Sequence, residues 1–222
     1  MIEALSRTVA VTGHYGSGKT NLSLNLALAL KRQGRQVTLC DLDVLNPYFG
    51  SGGWKKLAER EGIPLIAPAY TGSTLEIPAL TGRLDACLGG EDTVIIDAGG
   101  DGDGALALGR YAPKITQGRY DMLFVVNFYR YLTETARQAA EYLREVEAAC
   151  RLEVTAIVNN SNLGEETTPQ DVAASIEKAA RLCEITQKPL LFTSVRDDIA
   201  RQLDCPDSFI LPVNVYPQTP WE

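Results

Sequence analysis

Residues 7–20 read RTVAVTGHYGSGKT: an apolar, β-branched run that breaks at Gly13 into a glycine-rich octapeptide ending on Lys19 and Thr20. The run 7–13 predicts a buried strand, and the residues from Thr20 to about Arg32 carry a helical pattern that stops at Gly34. Gly-x-x-x-x-Gly-Lys-Thr between a strand and a helix is the setting in which a phosphate-binding loop works. Its glycines let backbone N–H groups turn toward phosphate oxygens, and the helix N-terminus adds partial positive charge. The lysine reaches the β- and γ-phosphates, and the threonine hydroxyl ligates magnesium. Gly13, His14, Tyr15, Gly16, Ser17, Gly18, Lys19 and Thr20 are therefore candidate nucleotide-binding residues, with Lys19 also catalytic and Thr20 also a metal ligand.

Outward from the loop, short β-branched runs alternate with helical patterns. Strands are expected at 36–41, 63–68, 92–100, 120–127, 152–160 and 188–195, and helices near 54–60 and 78–88. A longer helix begins near Thr135, where Thr135-x-x-Gln138 has capping-box spacing. Another starts at Thr168 with Pro169 in its first turn, and Val172, Ile176, Ala179 and Cys183 form its apolar face. This alternation predicts an α/β fold, a three-layer sandwich with a mostly parallel sheet and helices on both faces. With 222 residues, 45% of them apolar, the chain suits one domain over 1–222; its Pro-rich end, 204–222, is expected to be an irregular arm. The segment DGDGALALGRY (101–111) is expected to be mobile.

Two further stretches place acids at strand ends. Asp41-Leu42-Asp43 closes the second strand, at the edge that faces the same crevice as the phosphate loop. One acid can orient or activate water while the other holds a metal-bound water or a backbone group, although strand-end acids also cap turns. In Val94-Ile95-Ile96-Asp97-Ala98-Gly99-Gly100, Asp97 is placed to hold magnesium through water, and Gly99 or Gly100 lets a backbone N–H approach the γ-phosphate. Asp41 and Asp43 are thus catalytic candidates, Asp43 and Asp97 join Thr20 as metal candidates, and Gly100 joins the nucleotide set.

ATP is favoured over GTP. Guanine is usually read by Asn/Thr-Lys-x-Asp, and none of the lysines (19, 31, 55, 56, 114, 178, 188) follows Asn or Thr. Asn159 and Asn160, ending the run TAIVNN, can present an amide to adenine or serve turn chemistry. Net charge −7 with no basic run argues against a nucleic-acid partner. No apolar stretch approaches the roughly 18 residues of a membrane helix, and the first residues do not have the pattern of a secretory leader. The scattered cysteines (40, 87, 150, 183, 205) form no C-x-x-C pair, which suits reduced thiols in a cytoplasm.

Taken together, the loop, the D-x-D after the second strand and the Asp97 turn resemble the MinD/ParA-like P-loop ATPases of the SIMIBI class, the CobQ/CobB/MinD/ParA nucleotide-binding domains, over roughly residues 7–200. The resemblance implies Mg-ATP binding and an ATP-dependent homodimer with nucleotide near the interface. It matches Lys19 and Thr20 to the family's phosphate and magnesium residues. Asp43 matches the water-activating acid, Asp41 its partner acid, Asp97 the acid that meets metal through water, and Asn159 or Asn160 the adenine contact. The family's usual G-K-G-G-x-G-K-T is altered: His14 stands at the first lysine and Tyr15 at the next glycine. An imidazole can be donor, acceptor or cation, so His14 either takes over part of that lysine's role or is one of the variable loop positions. DLDVLNPYFG (41–50) resembles a branch of these ATPases in which Asn-Pro-Tyr-Phe follows the acids. The Asn46–Phe49 loop is expected either to meet a protein partner or small-molecule substrate, or to anchor itself to the core. In NFYRYLT (127–133), Asn127 and Arg130 lie at the crevice end of a strand, with Arg130 facing phosphate, a partner or solvent. Two functions fit: an ATPase whose hydrolysis drives a conformational or dimerisation switch, and an ATP-dependent small-molecule enzyme, a kinase or a dethiobiotin-synthetase-like ligase. A binding module that has lost hydrolysis is a third.

Overall fold

The run before the glycine loop becomes β1 (Thr8–Thr12), buried from Val9 to Thr12, and the loop feeds directly into helix α1 (Lys19–Arg32). The computed structural model describes residues 2–42, 53–67, 76–100, 102–203 and 209–216. The remaining elements continue the alternation of strand and helix. They are β2 (Val37–Asp41), α2 (Gly53–Arg60), β3 (Leu65–Ile66), α3 (Glu76–Leu88), β4 (Thr93–Asp97), α4 (Gly102–Gly109) and α5 (Ala112–Ile115). Then come β5 (Tyr120–Val126), α6 (Ala136–Cys150), β6 (Ala156–Asn159), α7 (Pro169–Thr186), β7 (Leu190–Arg196), α8 (Asp197–Ala200) and β8 (Ile210–Val213). Of these, α4, α5, α8 and β8 are added to those expected. Among the described residues the strands form one eight-stranded sheet in the order β3-β2-β4-β1-β5-β6-β7-β8, every pairing parallel.

Two apolar layers enclose the sheet. On one face Val9, Val11, Leu39, Ile95 and Val125 pack against Leu22, Leu26 and Leu30 of α1. On the other, Ala10, Cys40, Ile96 and Phe124 pack against Leu108 of α4, Leu143 of α6 and Leu182 of α7. Successive strand residues point to opposite faces, which is why odd and even positions divide so cleanly between the layers. The three-layer α/β sandwich expected from the strand–helix alternation is the architecture found.

Local chemistry sets the helix starts. Thr135 Oγ1 accepts from the Gln138 N–H at 3.2 Å while the Thr135 N–H donates to Gln138 Oε1 at 3.0 Å. Thr168 and Asp171 repeat the device on α7, with Pro169 in the first turn. Gly34 takes φ 88° just past α1. Three expectations are corrected. Residues 102–109, expected to be mobile, form α4, because Ala105 and Leu108 are buried against the sheet and α6; Asp101 lies outside the described residues. The strand expected over 152–160 starts only at Ala156; Leu152 and Val154 are buried core residues outside the ladder. Within the end expected to be irregular, 210–213 pair with β7 as β8. Beyond it, the Asn25 amide donates to Asn214 O at 2.9 Å, the Asn214 N–H donates to Asn25 Oδ1 at 3.0 Å, and the Tyr216 N–H donates to Asn21 Oδ1 at 2.9 Å. Two asparagines one turn apart on α1 thus lash this end to the helix that follows the glycine loop. No described helix is long and apolar enough to cross a membrane.

Candidate nucleotide-binding site

The glycine loop wraps the N-terminus of α1. Gly13, Gly16 and Gly18 take φ of 144°, 73° and 86°, and the Ser17 N–H donates back to His14 O at 3.1 Å. At Gly13 and Gly18 the positive φ coincides with crowding, since a Cβ would collide with Val125 O at the first and with the amide nitrogen of Asn160 at the second. The first N–H groups of α1 have no partner within the helix and open on the loop. Ser17 Oγ is buried without a hydrogen-bond partner among the described residues. Lys19 is buried, and its ammonium donates to His14 O at 3.1 Å, across the concavity. Orphan donors, a helix N-terminus and a buried lysine make a receptor for an anion with several oxygens.

The acids lie beside it. Register pairs Asp41 with Asp97, so the two side chains share the α1 face of the sheet at its carboxyl edge. Both are buried, and Asp97 Oδ1 accepts from Ser23 Oγ on α1 at 3.2 Å. Thr20, Ser23, Asp41 and Asp97 line one small cavity closed by Leu39, Trp54, Ala58 and Leu65. Thr20 and Asp97 are thus brought together, and Asp41 with them. Asp43 lies outside the described residues, as do Asn46–Phe49. Among the described residues no three His, Cys, Asp or Glu side chains converge. A hydroxyl beside a carboxylate suits a hard cation that keeps most of its water and binds phosphate.

Gly100 closes the far side. A Cβ on it would fall 2.5 Å from Lys19 Nζ and 2.8 Å from the Tyr15 backbone, so no other residue fits without displacing the loop. Its carbonyl accepts from the Tyr142 hydroxyl of α6 at 2.9 Å. The half-buried His14 ring sits edge-on to Tyr142, centroids 5.1 Å apart and planes at 76°, with His14 Nδ1 2.9 Å from Tyr15 O. Tyr15 itself is exposed. Tyr142 therefore touches both the loop histidine and the glycine after β4. Nothing in its sequence context marks it except its place on α6.

Asn159 and Asn160 separate into different roles. Asn159 is fully buried; its amide nitrogen donates to Ser175 Oγ at 2.8 Å and its oxygen accepts from the Ser161 hydroxyl at 2.7 Å. Asn160 donates to Ser17 O at 2.7 Å and accepts from Ser194 Oγ at 2.7 Å. Asn160, unlike Asn159, lines a cavity of about 170 Å³ on the Gly18 side of the loop, with Asn21, Asn162, Ser194, Arg196 and Val213 among the other walls. Asn162, Ser194, Arg196 and Val213 escaped the sequence reading because each carries its meaning only once β6, β7 and β8 lie side by side. The Arg196 guanidinium is held by Asp198 and by Gly164 O, and its pairing with Asp198 pushes the Asp198 carboxyl below its ordinary range.

A phosphate loop, two strand-end acids and a base-sized cavity along one edge of a parallel sheet define a P-loop nucleotide-binding domain. The family model of the CobQ/CobB/MinD/ParA nucleotide-binding domain matches residues 9–183, and the chain belongs to that family. No curated protein sequence matches the chain. Solved structures share the fold. The cell division protein FtsY of Thermotoga maritima aligns with TM-score 0.60 at 21% identity, over 85% of this chain and 61% of that one. The signal recognition particle receptor FtsY of Elizabethkingia anophelis gives 0.55 at 21%, over 84% and 57%. Chloroplast FtsY of Physcomitrella patens gives 0.59 at 17%, over 84% and 57%. The chain thus spans about three fifths of the length of these structures.

Proposed function

We propose that the domain binds Mg-ATP and hydrolyses it slowly, as a conformational or dimerisation switch. The observation that carries this reading is the position of Gly100. It is packed on Lys19 and Tyr15 at one side and bonded through its carbonyl to Tyr142 at the other. A γ-phosphate arriving in the loop contends with Lys19 and the Gly100 backbone, and a shift there pulls on α6, an outer helix. That is how a local phosphate contact becomes a movement at the surface.

The choice of base follows from donor and acceptor counts. Guanine offers N1–H and N2–H donors and wants a carboxylate opposite them. Among the described residues lining the cavity there is none, only amides, hydroxyls, one guanidinium and apolar groups. Adenine, with one donor beside one acceptor, suits amides. The FtsY of Elizabethkingia anophelis has been solved with GDP, a contrast in ligand on a shared fold.

The residues fit magnesium: Thr20 and Asp97 would hold it, directly and through water, and the ion would offset phosphate charge. Asp41 stands beside them as a group able to orient water, and Asp43 completes the proposed catalytic set. Turnover of ATP against GTP, with wild type and Lys19→Ala and with sizing in ATP and ADP, tests the reading. We expect basal ATP hydrolysis lost in Lys19→Ala and an ATP-dependent increase in size. A wild-type protein that prefers GTP, or turns over ATP only when a small-molecule acceptor is added, refutes it.

A further inference from the structure

We propose that Arg130 is a phosphate-contacting residue of the chain's own nucleotide site, a second cation set over the glycine loop in cis. The inference rests on the reading of the cleft as a nucleoside-triphosphate site and adds a residue to it. A Cβ built on Gly16 would lie 3.5 Å from Arg130 Nε and 3.8 Å from its Cδ and Cζ, so the guanidinium stem lies across the middle of the loop. Arg130 is exposed, and its guanidinium makes no hydrogen bond or ion pair with any described residue.

The segment that carries it is fixed from both ends. Asn127, fully buried at the end of β5, donates from its amide to Asn162 O at 3.1 Å and accepts the Tyr129 N–H at 3.0 Å. The buried Thr133 hydroxyl donates to Asn127 O at 2.7 Å, and the Thr133 N–H donates to Arg130 O at 3.1 Å. The Phe128 N–H donates to Ser161 Oγ at 2.9 Å, and the Tyr129 hydroxyl donates to Asp171 O at 2.9 Å. Leu132 is held at φ 69°, a left-handed conformation unfavourable for any residue with a Cβ. Solubility alone requires no such backbone. Strain and buried bonds spent on aiming one unpaired guanidinium at a phosphate loop point to an anionic ligand.

Charge balance supports the assignment. Of the described side chains packed around the loop mouth, Lys19 supplies one basic group and Asp41 and Asp97 two acidic ones. A triphosphate brings several more negative charges, and a planar guanidinium can take two of its oxygens at once.

Calorimetric titration of the full chain with magnesium and a non-hydrolysable ATP analogue tests this, using wild type, Arg130→Ala, Arg130→Lys and, as a surface control, Arg144→Ala. Arg130→Ala is expected to weaken binding about 10- to 100-fold with an unchanged melting temperature of the free protein. Arg130→Lys recovers part of the loss, and Arg144→Ala matches wild type. Wild-type binding that survives Arg130→Ala within about twofold overturns this proposal alone. Failure of wild type to bind overturns the nucleotide reading and the proposal with it. Mixing Arg130→Ala with Lys19→Ala protein is expected to leave ATP turnover at the sum of the two. Turnover above that sum would put Arg130 in a neighbouring copy's site and overturn the cis assignment.

Discussion

Replacing Asn160 by alanine separates a loop anchor from a base reader. The side chain is 8% exposed and joins two segments that the sequence holds far apart, donating to Ser17 O and accepting from Ser194 Oγ, both at 2.7 Å. Each neutral bond contributes about 1 kcal/mol, and stranding a buried carbonyl costs about 1–3 kcal/mol more. Ser194 keeps a weaker acceptor in Asn159 O at 3.4 Å, so the penalty falls chiefly on Ser17. Asn160→Ala should therefore lower unfolding stability by about 2–4 kcal/mol. Because Ser17 immediately precedes Gly18 and Lys19, the loosened loop should also weaken nucleotide binding about tenfold or more, whatever the base. Asn160→Asp, which turns a carboxylate oxygen toward the Ser17 carbonyl, should be worse than alanine in both respects. Urea denaturation, with titration of ATP, ADP and GTP, reads the two effects. Unchanged stability with a loss confined to adenine nucleotides would refute the anchor and restore Asn160 to the role of base reader.

Gly100→Ala should abolish ATP turnover while leaving the fold intact, since the new methyl meets Lys19 Nζ and the Tyr15 backbone but no core side chain among its nearest neighbours; wild-type rates in this variant would contradict the switch geometry. Thr168→Ala should cost about 1 kcal/mol by removing the cap of α7, measured by thermal unfolding. Its partner Asp171 has a carboxyl lowered below the ordinary value by the Thr168 hydroxyl and N–H. The stability it adds is therefore present above an unfolded pKa of about 3.9 and is lost as pH falls through the lower folded value. Asp171→Asn should flatten that acid limb of the pH–stability curve, and an unchanged limb would show that the Asp171 carboxylate and the cap N–H groups bond water instead.

Much of the molecule is written locally. The strand–loop–helix of 7–32 is legible because hydrophobic period, glycine placement and the lysine–threonine pair all act within a few residues. The caps of α6 and α7 are legible for the same reason: a threonine reaches the N–H three residues on. Elsewhere a distant contact decides. Residues 102–109 carry too many glycines to announce a helix, and they fold as one because Ala105 and Leu108 find the sheet and α6. The prolines near the C-terminus argue for irregular chain, yet 210–213 join the sheet because β7 offers an open edge.

The site divides along the same line. By itself the sequence determined that a phosphate loop exists, which lysine and threonine belong to it, and that acids stand at the ends of two later strands, those closing on Asp41 and Asp97. Only the tertiary structure decided what surrounds the loop. It set Asn160 under Ser17, 143 residues away in the chain, and joined Tyr142 to the Gly100 carbonyl, 42 residues away. It also laid Arg130 across Gly16. The physical reason is the strand order: β1 lies between β4 and β5, with β6 next beyond, so four loops distant in sequence meet at one edge. No periodicity within a segment encodes which strands become neighbours.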